Sequence, residues 1–192
     1  MIDPAEGAIV IGCSSGGIRA LSTLFANLSP QIARPVLVVC HFRSDDVSGL
    51  CELLGHHSTL PVAEACERHY PEAGTIYVAP GNYHLHIESD GRFALSVDAR
   101  ECYSRPSINI LFESASWTYR EKLIGIILTG ANDDGARGLS SVRQRRGISI
   151  VQLPEEAEAP EMPSAALAVA GADFLLPLAE IGGVVSDICL NA

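Results

Sequence analysis

No apolar run in this chain of 192 residues reaches the ~18 needed to cross a bilayer, so a membrane-embedded protein is not expected. "MIDPAEGA" at the N-terminus has no basic segment ahead of an apolar one, so a signal peptide is not expected. The six cysteines form no C-x-x-C pair, and scattered thiols in a chain of this size point to a reduced, cytoplasmic setting. Cations are few: 13 Lys and Arg stand against 23 Asp and Glu, a net charge of -10, so a nucleic-acid partner is not expected. The one basic cluster, "RQRR" at 143–146, suits the end of a helix, where the dipole favours positive charge. No internal repeat is present.

What the chain has is an ordinary globular composition, 47% apolar and 19% charged, with length for one domain and its core. Apolar runs recur at 8–12, 35–42, 123–130, 148–152 and 174–177, with helical stretches such as 16–28 and 134–146 between them. Runs that do not alternate suit strands buried on both faces, and strand–helix alternation makes their sheet parallel. The middle differs. "GTIYVAPGNYHLHIESDGRFALSV" has period-two segments and two turn signals, which predicts a small antiparallel hairpin insert. A helix is expected at "PSINILFESASWTYR", opened by Pro106. The acidic "LPEEAEAPEMP" reads as a loop, either beside a site or simply solvated.

"AIVIGCSSGGIRAL" places two hydroxyls on a turn between a strand and a helix. The stretch fits G-x-S-x-G with Ser14 in the centre, and three readings stand: a helix cap, a phosphate cradle, or a nucleophile facing backbone N–H groups. A nucleophilic hydroxyl needs a base, and the base needs an orienting carboxylate. His41 ends the second apolar run, while Asp133 and Asp134 follow the run "IILTG". The carboxyl ends of parallel strands face one crevice, so Ser14, His41 and an aspartate can meet there. Their chain order, Ser…His…Asp, disfavours the α/β-hydrolases, which run Ser…Asp…His.

These motifs, with "CHF", "YVAPGNYHL", "RPSINILFES", "GIILTGANDDGARG" and "EMPSAAL", lie along most of the chain. In them the sequence resembles the catalytic domain of the chemotaxis receptor glutamate methylesterases (CheB type). The resemblance implies a doubly wound, mostly parallel α/β sheet with an antiparallel hairpin. It implies a serine hydrolase that removes methyl esters from glutamates of chemoreceptors, with glutamine deamidation as a second activity. Matched motif by motif, Ser14 would be the nucleophile, His41 the general base and Asp134 the orienting carboxylate. Ser15 N–H and one donor from the "GAND" turn, with Ala131 on the site wall, are the expected oxyanion contacts. The implied partners are the cytoplasmic helices of methylated receptors. Arg43 and Arg105 are substrate-contact candidates, Arg105 at even odds with a surface salt bridge. No cofactor and no metal are expected.

The chain also departs from the family pattern. Ala131 stands where the family usually has methionine, Asn132 where it has glycine, and Asn109 where it has aspartate. The whole chain, 1–192, reads as one methylesterase-like catalytic domain without the receiver domain that family members commonly carry in front, so a separate or fused receiver is an open partner. A weak or inactive homologue serving as a binding module is therefore an alternative, and a nucleotide- or phosphate-binding α/β protein a more distant one. Against the latter, neither G-x-x-x-x-G-K-[ST] nor G-x-G-x-x-G is present. Ser15 and Asp133 read as helix caps, and His56–His57 as a helix end. His84 and His86 share a hairpin face, but no carboxylate or cysteine pair beside them supports a metal.

Overall fold

The computed structural model describes residues 7–42 and 44–191. The chain runs from β1 (Ala8–Cys13) through α1 (Gly17–Ala26), β2 (Val36–Cys40) and α2 (Ser48–Gly55) to β3 (Val62–Glu64) and β4 (Ile76–Val78). The hairpin β5 (His84–Ile87) and β6 (Phe93–Ser96) follows, then α3 (Ile108–Tyr119). The last part alternates strictly: β7 (Leu123–Ile127), α4 (Ala136–Gln144), β8 (Ile148–Gln152), α5 (Glu161–Val169), β9 (Phe174–Leu176) and α6 (Leu178–Leu190).

Seven strands form one sheet in the order β3-β4-β2-β1-β7-β8-β9, parallel throughout. The order reverses between β1 and β7. That reversal splays the loops beyond their carboxyl ends, where ligands of doubly wound sheets bind. β1, β2 and β7 are buried at every position, as their unbroken apolar sequences require. Alternate side chains divide between two cores: Ile9, Ile11 and Cys13 pack towards α1 and α6, while Ala8 and Val10 pack towards α3, α4 and α5.

The middle of the chain corrects the expected insert. "TIYV" is not part of the hairpin; β4 joins the main sheet beside β2 and β3. The antiparallel hairpin is β5 and β6 alone, turned by the residues around Gly91; an isolated antiparallel bridge, Glu101 with Ser104, lies beyond it. β3 gave no usable pattern because it is three residues long and only half-buried. Pro106 does not open α3 either. The helix starts at Ile108 and is capped by Ser107, whose Oγ accepts from Ile110 N–H. The arginine cluster closes α4 as its charge implied, with Arg143 paired to Asp173 and Arg145 stacked 3.6 Å above Trp117. The histidine pair likewise follows the end of α2, with His56 as its C-cap.

α3 and α4 meet closely because Gly138 has no side chain. A Cβ there would lie 2.7 Å from Phe112 Cβ and 3.0 Å from Asn109 Cα. Gly138→Ala is expected to force the two helices apart and to destabilise the fold by ~1–3 kcal/mol. Denaturant unfolding measures this, with a lower midpoint at an unchanged slope.

Candidate active site

Asp134 is fully buried at the turn between β7 and α4, and its two oxygens accept four hydrogen bonds. Oδ1 receives Ser107 Oγ at 2.9 Å and Asn109 N–H at 3.0 Å. Oδ2 receives Ile108 N–H at 2.7 Å and faces His41 Nε2 at 2.9 Å. The carboxylate thus sits on the amino end of α3, where unpaired N–H groups and the helix dipole favour an anion. Burial pushes its pKa up, but the hydrogen bonds from His41 and from the Asn109 and Ile108 N–H groups outweigh this and hold it below the ordinary value. An ionised carboxylate only accepts, so His41 Nε2 carries the proton and Nδ1 is left with its lone pair.

Glycine makes this arrangement possible. A Cβ on Gly12 would lie 2.3 Å from Ile108 Cγ2, so the bare backbone of β1 lets the first turn of α3 settle on the sheet edge. Gly135 adopts φ 98° and would likewise strike Ile108. α4 has no cap of its own; Asn109 reaches across from α3, its Oδ1 accepting from Gly135 N–H at 3.0 Å and Gly138 N–H at 2.8 Å. Asp133, expected to cap α4, does not: its side chain is exposed and only its backbone carbonyl bonds into the turn, to Ala136 N–H. Asn109 departs from the family pattern yet keeps the acceptor that α4 requires.

Ser14 lies beside His41 because their strands are in register. Cys13 pairs with Cys40, so the next residue of each strand leaves the sheet at the same level, tied by His41 N–H to Cys13 O at 3.0 Å. Both line one cavity of about 390 Å³ together with Gly16, Arg19 and Phe42. The Ser14 hydroxyl makes no hydrogen bond among the described residues. The hydroxyl near His41 Nδ1 is that of Ser104, at 3.4 Å. Ser104 and Ser107 were both missed in the sequence. They come from the segment around Pro106, where only tertiary packing brings a serine to either partner.

The serine turn itself differs from expectation. Ser15 does not cap α1; Gly16 takes that place with φ 77°, and no side chain bonds there. A Cβ on Gly16 would strike Glu158, so the acidic loop lies against the turn and is not merely solvated. Thr129 joins the two: its Oγ1 donates to Ser15 O at 2.8 Å and accepts from Ala159 N–H at 2.9 Å, while its carbonyl accepts Ser14 N–H at 2.9 Å. The N–H groups of Ser15 and Gly16 have no acceptor among the described residues. They are free for a developing oxyanion. Ala131 is exposed on the turn after β7.

The other singled-out residues serve the frame. Arg105 NH1 donates to the carbonyls of Val97 and Asp98, at 2.7 and 3.0 Å, and so braces the chain leaving β6. It forms no salt bridge among the described residues. Arg43 lies outside the described residues. His84 uses both ring nitrogens on backbone, Nε2 with Ala99 O at 3.1 Å and Nδ1 with Ser107 N–H at 3.2 Å, so it supports the α3 cap. Burial, and then His84, lower the pKa of His86. Glu101, Cys102 and Asp134 are close enough to share an ion, but the four hydrogen bonds on Asp134 leave it no lone pair to offer. Burial, then the charge of Asp134, pushes the Cys102 thiol up to about 11.

A doubly wound α/β sheet with serine, histidine and a helix-held aspartate gathered at its reversal point has the layout of a hydrolase of the Ser-His-Asp kind. The chain belongs to the CheB methylesterase family, whose family model matches residues 9–185. A relative from Leptospira interrogans is 42% identical over 174 residues, covering 91% of this chain and 90% of its own. A Mesorhizobium japonicum protein-glutamate methylesterase/protein-glutamine glutaminase is 34% identical over 181 residues, 94% of this chain but 53% of that protein. The crystal structure of the Thermotoga maritima CheB methylesterase catalytic domain superposes with TM-score 0.91 at 29% identity, covering 94% of this chain and 97% of that one. No helix among the described residues is long and apolar enough to cross a membrane.

The lowered pKa of Asp134 has a consequence for stability. A depressed carboxyl stabilises the fold above its unfolded value, 3.8, and that contribution is lost as pH falls through the lower folded value. Thermal melting of wild type is therefore expected to weaken steeply below about pH 4. Asp134→Asn should melt lower at pH 7 and show a shallower acid limb, because its amide faces donors that need an acceptor. An unchanged acid limb would refute this.

Proposed function

We propose that this chain is a serine hydrolase that removes methyl esters from glutamate side chains of chemoreceptors, and that it deamidates receptor glutamines at the same site. The observation that carries the reading is the 2.9 Å contact between His41 and the buried Asp134, directly beside Ser14 in a member of this family. Nδ1 of His41 is the base. It takes the Oγ proton as Ser14 attacks the ester carbonyl, and the oxyanion turns to Ser15 and Gly16 N–H. Each such donor is worth ~10²–10³ in rate.

Methoxide then leaves, protonated by the imidazolium, as methanol. Water, deprotonated by the same nitrogen, cleaves the acyl-enzyme to release glutamate and Ser14. With glutamine the leaving group is ammonia. Asp134 holds the tautomer and favours the imidazolium. Ser104 competes with Ser14 for Nδ1 in the resting state, and substrate binding must turn Ser14 towards it.

The role fits a single catalytic domain acting in the cytoplasm on receptor helices, with control by a receiver domain, fused or separate. Methanol release from a methyl-esterified receptor fragment tests it. His41→Ala is expected to lower turnover by ~10²–10⁴, and Ser14→Ala by at least as much. Equal turnover in wild type and Ser14→Ala would refute the assignment. Receptor binding by a wild type that releases no methanol would mark the chain as a binding module, a reading favoured by the unbonded Ser14 hydroxyl and by Ala131.

A further inference from the structure

A second cavity of about 390 Å³ opens on the far side of the serine turn. Gly16 and Arg19 line both cavities, so only this short wall separates the second from Ser14. Thr129 and Gln152, each 2% exposed, are its buried polar lining, with the exposed Arg19, Glu156 and Glu158 around them.

Gln152 is the informative residue. Thr129 N–H donates to its Oε1 at 2.9 Å, and that bond fixes which end of the amide is oxygen. The Nε2 group, with two donors, has no protein partner among the described residues and keeps contact with the open space of the cavity. A group that enters the cavity and shuts water away from these donors must accept from them, because a donor buried without a partner is costly. The Arg19 guanidinium makes no hydrogen bond or ion pair among the described residues and adds a further donor. Glu156 and Glu158 supply acceptors.

One guanidinium against two carboxylates leaves the lining net negative, which disfavours an anion. An apolar group would leave Gln152 unsatisfied. A neutral group that accepts through one atom and donates through another matches both sets. We propose that this cavity is a subsite for a primary carboxamide, the side chain of a glutamine one helical turn from the scissile ester on the substrate helix. Helix residues four apart lie about 5–6 Å from each other, a step that suits two cavities sharing one wall. The inference rests on the substrate reading above, with Ser14 in the first cavity and the neighbouring side chain in the second.

The test uses three helical peptides, each with one glutamate methyl ester and with Gln, Glu or Leu at both positions four residues away. Calorimetry on Ser14→Ala, in which the ester is left intact, reads affinity without turnover. The Gln peptide is expected to bind about 3–10-fold tighter than the Leu and Glu peptides. Gln152→Glu in the same background keeps the acceptor for Thr129 N–H but removes the free donors, and should level the Gln and Leu peptides. Arg19→Met, an exposed change that cannot unfold the core, should narrow the same gap. Equal affinities for all three peptides, a preference for Glu, or a Gln preference untouched by both substitutions would overturn the subsite. Methanol release by wild type from the Leu peptide reports on the hydrolase reading separately, so the two can fail independently.

Discussion

The buried carboxylate of Asp134 is the constraint on which the edge of this molecule is built. A charge with no exposure survives only where fixed donors replace water, and here they come from three places at once: the first turn of α3, a serine cap and an imidazole. Each of those partners is thereby positioned. α3 must begin where its N–H groups reach the carboxylate, β7 must deliver the turn to that point, and His41 must present Nε2. The tautomer of the histidine, and so the nitrogen available as a base, follows from the charge of its neighbour.

Around this anchor the parallel sheet does the gathering. Register alone sets Ser14 beside His41, because β1 and β2 end level. The reversal of strand order brings the β7 turn to the same place from the other half of the chain. Thr129 then stitches the serine turn to the acidic loop through its hydroxyl and carbonyl. The loop that composition marked only as acidic becomes one rim of the second cavity, through Glu156 and Glu158. The glycines are the negative image of this packing. Gly12, Gly16 and Gly138 stand where a methyl group would collide with α3, Glu158 or Phe112.

The parallel frame, both ends of the site and the hairpin were legible because each has a local cause. Unbroken apolar runs need cover on two faces; Ser14 and His41 sit directly after such runs, and Asp134 on the turn that follows a third. What failed has local causes too. β4 was read into the hairpin since "TIYV" alternates as a hairpin strand would, and only its partners β2 and β3 settle its place. Ser15 and Asp133 have capping side chains at helix starts, but Gly16 and Gly135 take the left-handed conformations that those turns demand. Arg105 looked free because its acceptors are carbonyls seven and eight residues earlier, a pairing with no side-chain signature.

By itself the sequence determined the strand–helix alternation and the residue types at the strand ends, since hydrophobic period and residue chemistry are properties of short stretches. The tertiary structure alone decided which donors hold Asp134, which imidazole nitrogen faces it, that Asn109 caps a helix other than its own, and that Gln152 turns its donors to a second cavity. Those outcomes depend on groups 23 to 93 residues apart meeting at one distance and angle. A hydrogen bond has no period along the chain, so nothing short of the folded packing reveals it.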